Sequence, residues 1–104
     1  MSGFAFHPDA LDDLNEVWDF IAADNIDAAD RLTLEIFDSI RALVPFPLQG
    51  HRRPDLTSRP LRFVRVRDYL IAYAPEENPL LVIAIIHGHR SPRVMAAILG
   101  GREV

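Results

Sequence analysis

All eleven basic residues of this chain are arginine, and nine of them follow residue 51. The span Arg52–Arg67 holds six of these arginines against a single acid, Asp55. A guanidinium offers a planar fork of donors that fits phosphate or carboxylate bidentately. Arg62 and Arg65 fall in a stretch of β-forming residues, Arg90 follows an apolar run, and Arg52, Arg53 and Arg93 lie near the ends of these segments. Such a set would stabilise charge on a phosphate during RNA cleavage. It would equally dock on a nucleic-acid backbone or an acidic protein. Cleavage further requires one group to accept a proton and another to supply one. His87 or His89 could serve, as could Tyr69 or Tyr73, but the tyrosines lie in an apolar segment and read as core with hydrogen-bonded hydroxyls.

Other chemistries find little support. His87 and His89 would need a third ligand and supporting contacts to hold a metal, so no metal or cofactor is expected. The chain has no cysteine, which removes disulfides, thiolate sites and a cysteine nucleophile. Phosphate-binding glycine loops, nucleophile elbows and zinc-protease helix motifs are missing. Net charge is −4. The ten acids against two bases of residues 1–51 belong to helix faces, where hydration explains them. An acidic polar face also argues against anionic membrane as a partner.

The elements that must position the arginines follow from spacing. His7-Pro8-Asp9 is a helix start signal, and Leu11, Leu14, Val17, Trp18 and Ile21 recur at helical steps behind it. Ala22–Asn25 breaks that helix. A second carries Ala29, Leu32, Ile36, Ile40 and Leu43 on one face, and the short join predicts an antiparallel hairpin. Pro45–Pro60 holds four of the eight prolines and predicts an irregular, stiff connection of the kind that often carries function. Leu61–Val66 and Tyr69–Tyr73 read as a β-hairpin turning at Arg67-Asp68. Leu80–Ile86 lacks polar alternation, as a strand covered on both faces does. Ser91-Pro92 opens a short last helix that ends at Gly100-Gly101. The expectation is one α+β domain over residues 1–104: an N-terminal strand and a helical hairpin on a small antiparallel sheet, with a short C-terminal helix. The longest apolar run is far below the ~20 residues of a membrane span. With an N-terminus unlike a signal peptide, this predicts a cytoplasmic protein.

Leu61-Arg62, Asp68–Tyr73, the apolar strand and His87-Gly88-His89-Arg90 before a short helix resemble the RelE/ParE superfamily of bacterial type II toxins. The Leu11–Leu14 stretch and Pro47-Leu48-Gln49-Gly50 extend the resemblance over nearly the whole chain. It implies an antitoxin partner that wraps and blocks the toxin, and it allows a higher-order toxin–antitoxin oligomer. RelE-like members cleave messenger RNA on the ribosome, several with a C-terminal tyrosine or histidine; ParE-like members inhibit DNA gyrase without accepted nuclease chemistry. Arg62 and Arg90 match arginines of the general pattern, whereas Ala96 stands where RelE carries its tyrosine. The missing lysines and negative charge also favour the ParE side, with a ParD-like antitoxin. A RelE-like nuclease using Arg62, Arg65, His87, His89 and Arg90 is the alternative. An inactive toxin-fold binding protein is a third. Antitoxin acids are expected at Arg52, Arg53 or Arg65.

Overall fold

The computed structural model describes residues 3–103. In chain order the elements are β1 (Phe4–Phe6), α1 (Pro8–Ala22), α2 (Ile26–Leu43), β2 (Arg62–Val66), β3 (Tyr69–Ala74), β4 (Leu80–His87) and α3 (Pro92–Gly100). Each helix begins where the chain supplies a cap. His7 Nδ1 accepts from the Asp9 amide at 3.0 Å, Asn25 Oδ1 from Ala28 at 3.0 Å and Ser91 Oγ from Val94 at 3.2 Å. Trp18 Nε1 donates to Asp30 Oδ1 at 2.9 Å and fastens α1 to α2.

The strands lie in the order β1-β4-β3-β2. β2, β3 and β4 pair antiparallel, as the short turns between them require. β1 joins β4 in parallel, Phe4 opposite Leu80 and Phe6 opposite Val82, so the sheet is mixed and not wholly antiparallel. The reason is the connection: β1 reaches β4 only after the helical hairpin and two further strands, a crossover long enough for parallel pairing.

Two apolar layers sandwich the sheet. On one face the helical hairpin brings Leu14, Ile36 and Ile40 against Ile71, Tyr73, Val82 and Ile85. On the other, Leu56, Met95 and Leu99 from the loop and α3 cover Phe63, Ala72, Ile83 and Ile86. Ile36, Ile40 and Ile71 are fully buried, each contributing about 1.5–3 kcal/mol relative to exposure.

β4 alternates between the layers except at one place. Ala72 pairs with Ala84 and Tyr73 with Val82, leaving Ile83 as a bulge. Ile83 and Ala84 therefore both meet the α3 layer, and every later residue of β4 is turned over. Ile85 returns to the hairpin side.

Candidate functional site

The arginines predicted as one set divide into those that hold the fold and those that do not. Arg62 and Arg65 stand three residues apart on β2. With a side-chain period of two they point to opposite faces of the sheet. Arg62 serves the loop before its strand: its Nη1 donates to the carbonyls of Leu48 at 3.2 Å and Gly50 at 2.9 Å. The same loop is anchored by fully buried Tyr73, whose hydroxyl donates to Pro47 O at 2.7 Å and accepts from the Gly50 amide at 2.9 Å. Gly50 must be glycine here, because a Cβ would lie 2.5 Å from that hydroxyl oxygen. Burial pushes the Tyr73 hydroxyl above its ordinary pKa, against the opposing pull of Gly50 and Arg62.

Two arginines outside the predicted set are also structural. Arg59 Nη1 donates to Leu99 O at 3.0 Å and Arg102 O at 2.8 Å, capping the end of α3. Arg102 forms a two-pronged pair with Asp13, Nη2 to Oδ1 at 2.9 Å and Nη1 to Oδ2, with both side chains about 85% buried. Asp13 Oδ2 also accepts from the Ile85 amide at 3.0 Å, and Arg102 Nη1 donates to Ile83 O at 3.1 Å. β1 ends at Phe6, opposite Val82, so these two side chains satisfy the exposed edge of β4 where the partner strand ends. Nothing in the local sequence around Asp13 or Arg102 signals a contact across so much of the chain.

The remaining arginines converge. Arg53, Arg65 and Arg90 line a recess of about 180 Å³ with Gly88 and Pro92 at its rim and Leu70 and Met95 at its base. Arg65 reaches it from β2, Arg90 from the turn after β4 and Arg53 from the proline-rich loop. Arg52 and Arg93 stand exposed beside Arg53 and in the first turn of α3. The β2–β3 turn assists: Arg67 adopts φ 53°, and its carbonyl accepts from Arg65 Nε at 3.0 Å. Arg67 is held in turn by Glu35 through two hydrogen bonds of 2.8 and 2.9 Å.

On the other side of the His87–Arg90 turn lies a larger groove of about 790 Å³ between α1, the β4 edge and α3. Asp9, Asp12, Asp13 and Glu16 form its α1 wall, and Tyr69 and Arg90 border both cavities. His87 and His89 open into this groove, their rings stacked 4.7 Å apart, with Tyr69 edge-on to His87 at 5.1 Å. The His89 amide donates to His87 Nδ1 at 3.1 Å. The imidazoles thus belong to the acid-walled groove and not to the arginine recess. Among the described residues, no three His, Asp or Glu side chains are placed to share a metal ion.

A helical hairpin braced on a sheet, with a His-Gly-x-Arg turn leading into a short terminal helix, is the build of a RelE/ParE-superfamily type II toxin. Residues 4–92 match the family described as "ParE toxin of type II toxin-antitoxin system, parDE", and the chain belongs to that family. No curated protein matches the chain. No helix among the described residues is long and apolar enough to cross a membrane.

Proposed function

We propose that this toxin acts by docking on DNA gyrase and halting it, and that a cognate ParD-like antitoxin restrains it. The arginine recess carries the reading. Its lining contains three guanidinium groups but neither imidazole nor carboxylate. Tyr69 is its one other titratable group, and burial pushes that hydroxyl above its ordinary pKa, so it keeps its proton. Such a recess attracts an anion and has no base to take a proton from one, which suits binding more than bond cleavage.

The imidazoles do not rescue a RelE-like nuclease reading. They face Asp9, Asp12 and Glu16, whose charges repel an RNA backbone. The antitoxin is expected to lay an amphipathic segment over exposed apolar residues such as Leu34 and Phe46 and to place acids at Arg52, Arg53 or Arg65. Gyrase as target makes the cytoplasm the working compartment.

A supercoiling assay with purified toxin tests the proposal: inhibition is expected, and unaffected gyrase at high toxin excess overturns it. Primer extension on messenger RNA after induction tests the nuclease alternative, with new cuts transferring the reading to it. Normal growth on expression without antitoxin would leave only an inactive binding protein.

A further inference from the structure

Arg65 is held firmly while its charge is left unused. Besides the bond from Nε to the Arg67 carbonyl, its guanidinium lies across Gly88, where a Cβ would sit 3.6 Å from Nη2 and 3.8 Å from Cζ. Both are ordinary contact distances, and the two terminal nitrogens of Arg65 have no acceptor among the described residues. The Arg90 guanidinium likewise has no partner among them. Arg53 spends Nε and Nη2 on Asp55, at 2.9 and 2.8 Å, and keeps Nη1 free. The other nearby acid is Asp68, close enough to Tyr69 to raise its pKa but not lining the recess.

Three guanidinium groups around one recess suit an oxyanion with several acceptor oxygens better than a lone carboxylate with two. The volume of about 180 Å³ holds such a group with some of its water, at ~30 Å³ per water. Arg52 and Arg93, both exposed, adjoin the lining residues Arg53 and Pro92 in the chain. Single-stranded nucleic acid would call for an exposed ring on which to stack a base. The one aromatic residue of the lining, Tyr69, is only 8% exposed and offers no ring face inside the recess.

We propose that the recess framed by Arg53, Arg65 and Arg90 holds a backbone phosphate of duplex DNA. This phosphate site deepens the gyrase reading and rests on it. The α1 acids line the neighbouring groove across Arg90 and none enters the recess, which lets a chain of net charge −4 present a local basic face.

The test is fluorescence anisotropy of the full chain, without gyrase, against a short labelled DNA duplex, a matched single-stranded RNA and an acidic peptide. Wild-type protein is expected to bind the duplex with a log–log salt slope of roughly −2 to −3, for two or three neutralised phosphates. Arg65→Gln should weaken binding equally for unrelated duplex sequences and reduce the slope by about 1. Arg90→Gln should also weaken it, whereas Arg41→Gln on α2 should not. An unchanged slope in Arg65→Gln, or binding of the peptide or RNA in place of the duplex, overturns the proposal. Duplex binding of this form by a toxin that leaves supercoiling intact retains the phosphate site and removes the gyrase reading. Gyrase inhibition by a toxin that fails the duplex test does the reverse.

Discussion

The two cavities flanking the His87–Arg90 turn share Tyr69 and Arg90 but handle charge in opposite ways. In the groove beside α1 the best-buried charges meet their opposites. Asp13 and Arg102 clasp each other and also complete the edge of β4. In the recess beside α3, like charges face one another with no acid in the lining. Within one small chain, arginines that reach across the fold to carbonyls or a carboxylate are architecture, whereas Arg65 and Arg90 keep guanidinium donors with no acceptor among the described residues. Leaving guanidinium groups unpaired does nothing for the free protein, as expected where function limits stability.

The sharpest way to break this contrast is to cut the clasp. Asp13→Ala removes the main partner of the mostly buried Arg102, leaving only the more distant Asp9 at 3.9 Å, and frees the Ile85 amide, so a loss of about 3 kcal/mol is expected. For a chain of this length the melting temperature should fall by more than about 10 °C, read by thermal denaturation. Adding Arg102→Ala should cost much less than a second independent loss, because the partners are already separated.

A smaller effect is expected at Tyr73, which anchors the loop that carries Arg53 to the recess. Tyr73→Phe removes hydrogen bonds to Pro47 and Gly50 and should cost about 1–2 kcal/mol in urea denaturation. Its pH dependence has a defined sign. Burial raises the native pKa above the ordinary 10.0, so the native state holds this proton more tightly than the unfolded chain. The stability it contributes is complete below that ordinary value and is lost as pH rises through the raised native one. Tyr73→Phe should flatten the alkaline decline; an equally steep decline in the variant would mean another group causes it.

The smallest change in stability belongs to Arg65→Gln, an exposed residue in the recess. Its stability should stay within about 0.5 kcal/mol of wild type while gyrase inhibition falls. Asp13→Ala and Arg65→Gln thus test the comparison from both ends. If Arg65→Gln unfolded the protein as readily as Asp13→Ala, the division between architectural and unpaired arginines would fail.

Much of the frame was legible before any coordinates. The start of α1 at Pro8, the buried face of α2 from Ala29 to Leu43, the turn at Arg67-Asp68 and the doubly covered β4 follow from local spacing and caps, and the structure has them at those places. The separation of Arg62 from Arg65 was legible too, since an odd spacing on a strand sends two side chains to opposite faces.

Other features were beyond local reading. The bulge at Ile83 reverses the facing of every later residue of β4, and a run of seven apolar residues offers no alternation from which to place it. Eleven identical side chains carry no mark of which will find an acceptor. Arg59, Arg62 and Arg102 find acceptors because the fold brings carbonyls or a carboxylate to them. Sequence therefore determined the elements and their apolar faces, because these depend on contacts a few residues apart. Tertiary structure alone decided which charges were left over, because a guanidinium reaches partners whose position depends on how distant segments of the chain pack.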